Sequence, residues 1–190
     1  MAVGSPVRAQ GTWDRKQVIR ITNQGQSADG RRARGFAGSR PKARGCQGGS
    51  VSSAIADDGV LMRPSVVDRL TDHQGRTVED FKPQQLSRVM SERTAGQLRS
   101  AMVTVVTGGT GTSAAVDGVA VGGKTGTAQN GVGNSGTPYA WFTSYADDGN
   151  GHRIAVAAVV VDGSADRADV TGGGLAAPVA KAVIKAAFGK

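Results

Sequence analysis

The stretch Val119-Ala-Val-Gly-Gly-Lys-Thr-Gly-Thr-Ala-Gln129 decides how this sequence can be interpreted. Its small and β-branched residues alternate as they do in a β-strand, and its glycines let other groups approach the backbone closely. At its centre lie the cation of Lys124 and the hydroxyls of Thr125 and Thr127, with Gly126 between the two threonines. An ammonium and a hydroxyl can hold a carboxylate, and free N–H groups at a sheet edge can hold a carbonyl oxygen. The stretch therefore predicts an edge strand that binds a carboxylate-bearing, peptide-like ligand.

The same residues also fit a glycine-tolerant strand with a solvated lysine. A Lys-Thr-Gly triplet is expected by chance in roughly a few per cent of chains of this length. The residues around the triplet have to decide between the two interpretations.

The charge of the chain is concentrated at its beginning. The 190 residues carry a formal net charge of +8, and residues 1–50 contain eight Arg and two Lys against two Asp. Residues 51–190 contain 13 basic and 13 acidic residues, so they are balanced. A chain of this length can form one domain with a core, or be a piece of something larger.

The basic region includes a Gly/Arg-rich run over residues 30–45, which predicts disorder. Clustered arginines attract phosphates, so one interpretation is an arm that binds nucleic acid. Phe36 is the one aromatic residue within the run, which gives stacking on bases little support. The other interpretation is sequence that is not native to the fold. We therefore divide the chain into a basic segment, 1–50, and a folded part, 51–190.

The first half of the folded part predicts a helix, a hairpin and a second helix. The first helix ends at Gly59, and the hairpin pairs residues 65–70 with residues 76–81. The second helix covers residues 91–107, with Ser91 as its N-cap and Gly108-Gly109 at its end. Its predicted buried stripe consists of three apolar residues, namely Leu98, Met102 and Val105. A flexible link, 110–118, leads into the opening strand.

The second half predicts an antiparallel sheet that is closed by a helix. An aromatic strand at 139–146 and a nearly continuous apolar strand at 153–161 flank a turn, and both faces of the apolar strand are expected to be covered. Pro178 lies in the first turn of the last helix, whose predicted buried face is Leu175, Val179, Val183 and Ala186. The fold class is α/β (α+β), with antiparallel strands and a C-terminal helix packed on them.

This order of elements resembles the end of a penicillin-binding protein's transpeptidase domain. The resemblance is carried by Gly123-Lys-Thr-Gly-Thr-Ala-Gln129, by Tyr139-Ala-Trp-Phe142 and by the buried strand and helix that follow. It covers about residues 51–190 and is greatest to the monofunctional, class B branch. It implies D,D-transpeptidation in peptidoglycan cross-linking, in which a serine attacks D-Ala-D-Ala stem peptides and can be acylated by penicillin.

The resemblance also implies roles for the residues of the motif. Lys124 would be catalytic, because it would support proton transfer. Thr125, Gly126 and Thr127 would bind the substrate: the two hydroxyls would hold the carboxylate of the stem peptide or of a β-lactam. The Thr127 N–H would be one donor of the oxyanion hole. No cofactor and no metal is implied.

Two other motifs of the family are not matched in the same way. The single Ser-x-x-Lys, Ser39-Arg-Pro-Lys42, lies in the Gly/Arg-rich run with no apolar helix after it, and much nearer to Lys124 than the family places its nucleophile. The sequence contains no Ser-x-Asn. We therefore expect Ser39 not to be a nucleophile and the chain to lack independent activity. The hypothesis is a C-terminal fragment, joined near residue 50 to unrelated or out-of-frame sequence.

The remaining expectations concern location and partners. Neither a signal peptide nor an apolar run long enough for a membrane span is visible, and Cys46 is the single cysteine. The family that the chain resembles is membrane-anchored with an extracytoplasmic catalytic domain, whereas this chain as given would be expected in the cytoplasm. The alternative function is a non-enzymatic, basic-armed protein that binds nucleic acid.

Overall fold

The computed structural model describes residues 17–24, 41–65, 67, 69–161 and 166–190. Its strands and helices follow one another as β1 (Gln17–Gln24), α1 (Pro41–Ala56), β2 (Val60–Met62), β3 (Arg69–Thr71), β4 (Thr77–Asp80), β5 (Gln85–Arg88), α2 (Glu92–Gly108), β6 (Ala120–Asn130), β7 (Gly136–Asp147), β8 (Arg153–Val161) and α3 (Ala177–Phe188). Short helical turns cover Thr112–Ala114, Val132–Asn134 and Gly172–Ala176.

Within the described part of the chain, the main sheet has four strands in the order β1-β8-β7-β6, and β6 is an edge strand of it. The strands β6, β7 and β8 are antiparallel neighbours, and β1 is parallel to β8. Two smaller antiparallel pairs, β2 with β5 and β3 with β4, lie outside this sheet. The predicted edge position of the Lys-Thr-Gly strand and the predicted hairpin before α2 are both confirmed.

Each face of the main sheet packs against helices. On one face Phe142 and Val156, both fully buried, contact α3 through a cluster that includes Ala180 and Ile184. On the other face Tyr145 packs with residues of α1 and α2, namely Ile55, Ala56 and Met102. Residues 155–159 of β8 are all buried, because helices cover this strand on both sides. This arrangement confirms the predicted fold class and the helix packed on the sheet.

The ends of α2 are where the sequence places them. The Ser91 hydroxyl accepts a hydrogen bond from the Thr94 N–H, as an N-cap does, and Gly109 follows the last residue of the helix. The predicted buried stripe is confirmed at Met102 and is wrong at Leu98, because the helix is rotated from the predicted orientation. The buried residues are Ala95, Met102 and Val106, while Leu98 is 38 % exposed. The side that faces Tyr145 and β6 is set by tertiary packing, which the spacing of apolar residues does not determine on its own.

The buried face of α3 also differs from its prediction. Val183 is buried as predicted, but Ala186 is exposed and Ile184 is fully buried instead. The other two buried residues of the helix are small, and they are Ala177 and Ala180. Small side chains let the helix approach the sheet closely, so alanines are buried here in place of the larger residues that a hydrophobic pattern favours.

The C-terminal end of α1 is fixed to two other elements by arginines. Arg99 of α2 donates to the Ile55 carbonyl oxygen at 2.7 Å, and Arg153 of β8 donates to that of Ala56 at 3.1 Å. Asp58, just after the helix, forms ion pairs with both arginines, at 2.7 Å and 3.4 Å. Cations are favourable at the negative end of a helix. The network holds α1 and α2 together on one face of the sheet.

Two elements lie within the predicted basic segment. The strand β1 covers Gln17–Gln24, and α1 begins at Pro41, before the predicted boundary near residue 50. Residues 30–40 of the Gly/Arg-rich run, including Ser39, lie outside the described residues. The division at residue 50 therefore stays a prediction.

Within the described part of the chain, none of the helices combines the length and apolarity needed to cross a bilayer. Among the same residues, no group of three or more His, Cys, Asp and Glu side chains is placed to hold a metal ion.

Candidate functional site

The candidate site is the exposed half of the edge strand β6. Its first half is buried at Val121, Gly122 and Gly123, and its second half is exposed at Lys124 and Thr127. The strand therefore leaves the core at the point where the Lys-Thr-Gly motif begins. A backbone that is anchored on one side of the motif and open on the other can present side chains and N–H groups to a ligand.

The two glycines before Lys124 are required by aromatic rings of the neighbouring strand. A Cβ atom on Gly122 would lie 2.4 Å from Cε1 of Tyr145, and one on Gly123 would lie 2.2 Å from Cζ of Phe142. The rings lie on opposite faces of the sheet, so the strand is packed between them. The sequence prediction that these glycines allow close approach is confirmed, and the groups that approach are rings of the core.

Burial also acts on the ring that covers Gly122. Burial of Tyr145 raises the pKa of its phenol, and its hydroxyl donates to the Arg99 carbonyl oxygen at 3.2 Å. The ring is thus fixed at both ends, by packing on β6 and by a hydrogen bond to α2. This fixes the strand immediately before the motif.

Lys124 and the two threonines lie on opposite faces of β6. Residues two apart in a strand share a face, so Lys124 is on the face of Gly122, which α2 covers further back along the strand. Thr125 and Thr127 are on the other face, where α3 packs. Because β6 is an edge strand, a ligand that lies along its outer edge can reach both faces.

The three polar side chains differ in their present partners. The Lys124 Nζ donates to the carbonyl oxygen of Thr125 at 2.7 Å. The Thr125 hydroxyl is 2.8 Å from the hydroxyl of Thr110, and either can be the donor. Thr127 is exposed, and within the residues that the structure describes its hydroxyl has no hydrogen-bond partner. The structure thus brings together the predicted residues and adds Thr110, which the sequence did not indicate as a site residue.

The glycine-rich turn Gly172–Ala176 packs against the backbone of the motif. A Cβ atom on Gly172 would lie 2.3 Å from the Trp141 carbonyl oxygen and 2.7 Å from the Gly126 nitrogen. The turn therefore lies directly on the backbone of β6 and β7. Three consecutive glycines before an apolar helix are the sequence signal that fits such a close approach.

Arg167 lies at the far end of the exposed half-strand. Its guanidinium donates to the side-chain oxygen of Gln129 and to the carbonyl oxygen of Gly136, the latter at 2.9 Å. It joins the end of β6 to the start of β7. Sequence reasoning missed this residue, and an isolated arginine in a loop carries no signal for such a role.

The other candidates from the sequence do not join this site. Ser39 lies outside the described residues, and Lys42 is the second residue of α1. The nucleic-acid interpretation depended on residues 30–45, and nothing among the described residues supports it.

Comparison with known proteins gives the family. A family model described as the penicillin-binding protein transpeptidase domain matches residues 49–185. The chain is 39% identical, over 145 residues, to the peptidoglycan D,D-transpeptidase PbpA of Mycolicibacterium smegmatis, covering 75% of this chain and 28% of that protein. The chain thus spans less than a third of the length of this curated relative.

Solved structures agree with this match. The crystal structure of PBPA from Mycobacterium tuberculosis superposes with a TM-score of 0.65 at 33% identity, covering 76% of this chain and 32% of that one. The penicillin G acyl-enzyme complex of penicillin-binding protein A from M. tuberculosis superposes with a TM-score of 0.61 at 34% identity, covering 73% and 30%. The match to the family model extends over most of the chain and includes all of β6, β7 and β8. This chain therefore belongs to the penicillin-binding protein transpeptidase family.

Proposed function

We propose that the exposed half of β6, from Lys124 to Thr127, is the carboxylate-binding wall of a D,D-transpeptidase active site. Its ligands are the D-Ala-D-Ala end of a peptidoglycan stem peptide and β-lactams, which share a carboxylate next to the reacting amide. The observation that supports this most is the position of the Lys-Thr-Gly-Thr residues at an open sheet edge, in a chain of the transpeptidase family.

The roles of the side chains follow from their chemistry. The hydroxyls of Thr125 and Thr127 donate hydrogen bonds to the ligand carboxylate, and the Lys124 ammonium supplies the opposite charge. The Lys124 Nζ now bonds to a carbonyl oxygen of its own strand, which a charged ligand can displace. The Thr127 N–H is proposed as an oxyanion-hole donor, because a backbone N–H on a rigid strand needs no reorganisation when charge develops.

The complete reaction is serine acyl transfer. A serine hydroxyl attacks the carbonyl carbon of the penultimate D-Ala, the C–N bond breaks, and the terminal D-Ala leaves with the proton as its free amine. The amine of a second stem peptide then attacks the ester, which forms the cross-link and returns the serine hydroxyl. The residues described here provide one wall for this reaction and hold no activated serine beside Lys124.

We further propose that the 190-residue chain has no acyl-transfer activity of its own. The sequence contains no Ser-x-Asn, and its single Ser-x-x-Lys begins at Ser39, in a Gly/Arg-rich run. Incubation with benzylpenicillin followed by intact mass spectrometry tests this. We expect no covalent adduct. An adduct on the wild-type chain that is lost in S39A would overturn the proposal.

Binding is tested separately by nuclear magnetic resonance titration with N-acetyl-D-Ala-D-Ala. The matched ligand is the same dipeptide with a C-terminal carboxamide, which lacks the charge. We expect the carboxylate to bind more tightly than the carboxamide, and the difference to shrink in T127V. T107V is the control, since Thr107 is an exposed threonine on the last turn of α2. Equal affinity for both ligands in the wild-type chain would contradict the proposed function.

A further inference from the structure

We propose that Thr110 is a positioning residue for this site and that its hydroxyl orients the hydroxyl of Thr125 towards a ligand carboxylate. The two oxygen atoms lie 2.8 Å apart, within hydrogen-bond distance. Thr110 lies just beyond the end of α2 and comes from a different part of the chain than β6. The inference rests on the proposed function, because it assigns a partner to one of the proposed carboxylate donors.

The backbone on each side of Thr110 is held by the last turn of α2. The N–H groups of Gly109 and Gly111 both donate to the Val105 carbonyl oxygen, at 3.2 Å and 2.9 Å. A Cβ atom on Gly109 would lie 3.0 Å from Val105 Cα, and one on Gly111 would lie 3.1 Å from the ring of Phe142. The segment that the sequence predicted to be a flexible link is therefore fitted closely against the core, and Thr110 projects from a fixed backbone.

The turn before α3 holds the same pair from a second side. A Cβ atom on Gly173 would lie 2.2 Å from the Thr110 carbonyl oxygen and 3.7 Å from Cγ2 of Thr125. The backbone of this turn thus lies against the Thr110 carbonyl oxygen and near the side chain of Thr125. Three separate segments, the end of α2, β6 and the turn 172–176, meet around Thr110 and Thr125.

The hydrogen bond between the two hydroxyls can run in either direction, and a bound carboxylate favours the direction in which Thr110 is the donor. When Thr110 donates to Thr125, the proton of Thr125 is free to be donated to a carboxylate. The result is a chain from Thr110 through Thr125 to the ligand, in which each bond polarises the next. A group that is held in place in advance also loses less conformational entropy when the ligand binds. A valine at position 110 keeps the shape of the side chain and removes the donor.

The experiment is the same titration, carried out on T110V, T110S and the T107V control. We expect T110V to weaken binding of the N-acetyl-D-Ala-D-Ala carboxylate about fivefold, which is the value of one ordinary hydrogen bond, with little change for the carboxamide. T110S keeps the hydroxyl and should bind as the wild type does. In a T125V background, T110V should have no further effect, because Thr110 acts through Thr125.

A second readout needs no ligand. Three-bond couplings from the backbone to Cγ2 of Thr125 report whether its side chain holds one rotamer. We expect one dominant rotamer in the wild type, T110S and T107V, and averaging in T110V. Unchanged couplings and affinity in T110V would overturn the inference. If the wild-type chain binds carboxylate and carboxamide equally, the proposed function fails, and the couplings alone decide whether Thr110 positions Thr125.

Discussion

Substitution of Gly123 by alanine tests whether the Lys-Thr-Gly strand is gripped by the core. The new Cβ atom would lie 2.2 Å from Cζ of Phe142, a residue with no exposed surface. Carbon atoms that pack favourably are about 3.5–4.0 Å apart, so the ring would have to move by roughly 1.3 Å or more. Phe142 is part of the buried cluster that contains α3 residues, so a movement of its ring disturbs the packing of that cluster.

The expected cost is that of overpacking a core, about 1–3 kcal/mol in the free energy of unfolding. For a folded unit of this size, that corresponds to a midpoint of thermal unfolding lower by roughly 3–10 °C. Gly126 provides the matched control, because a Cβ atom there would lie 3.4 Å from Trp141 Cβ, an ordinary van der Waals contact. G126A should change the free energy of unfolding by no more than about 0.5 kcal/mol.

The assay is chemical denaturation of the wild type, G123A, F142L and the double variant. Leucine lacks the end of the ring that the new methyl group would meet. The double variant should therefore be more stable than the sum of the two single effects by roughly 1 kcal/mol. Strictly additive effects, or a G123A variant as stable as G126A, would refute the idea that the Phe142 ring is what requires a glycine here.

Three further predictions concern separate features. The His152 Nδ1 lies 2.8 Å from Oδ2 of Asp148, and the hydrogen bond that the carboxylate accepts there is the main cause that lowers the pKa of Asp148 from 3.8 to about 2. The stability that the ionised Asp148 contributes is therefore complete above about pH 4 and is lost as the pH falls through 2. H152A should move the carboxyl titration, followed by carbon-13 shifts, back towards 3.8, and an unchanged midpoint would contradict the assignment. G172A places a Cβ atom 2.7 Å from the Gly126 nitrogen, which is backbone and cannot turn away as a side chain could. The variant should therefore lower the free energy of unfolding by about 1–3 kcal/mol and shift the Gly126 amide resonance. A shift confined to the turn would count against the contact. S91A removes the N-cap of α2 and should cost about 1 kcal/mol in denaturation, with S91D retaining most of the stability.

Features of the fold that depend on local sequence were predictable. The ends of α2 follow from the Ser91 hydroxyl and from Gly108-Gly109, which act on the backbone next to them. The apolar strand β8 was predicted with its observed bounds, because a run without polar residues requires cover on both faces. The position of β6 at an edge could also be inferred, since the motif itself combines glycines with groups that suit a ligand.

Features that depend on contacts between distant residues were not predictable in the same way. Leu98 belongs to an apolar repeat but is partly exposed, because the orientation of α2 is set by Tyr145 and β6. The link after α2 looked flexible from its glycines and threonines. One of those glycines, Gly111, instead allows close contact with both Val105 and Phe142. A segment rich in glycine can adopt many conformations, but its composition does not show whether the folded protein holds it in one of them against the core.

The candidate site shows the same division. Lys124, Thr125, Gly126 and Thr127 could be named from the sequence because the motif is contiguous. Thr110 could not be assigned to the site, because its partner is 15 residues away in the sequence and meets it only through the fold. In this site the proposed positioning residue is distant from the motif in the sequence, whereas the four motif residues are adjacent.

The most direct test of the proposed site is to locate the terminal D-Ala of bound N-acetyl-D-Ala-D-Ala on the surface of the protein. Intermolecular nuclear Overhauser effects from its methyl group identify the nearest protons of the protein. We expect nuclear Overhauser effects to the γ-methyl groups of Thr125 and Thr127, and we expect them to be lost when the carboxylate is replaced by the carboxamide. Effects to another surface of the chain, with none to these two threonines, would contradict the proposed site.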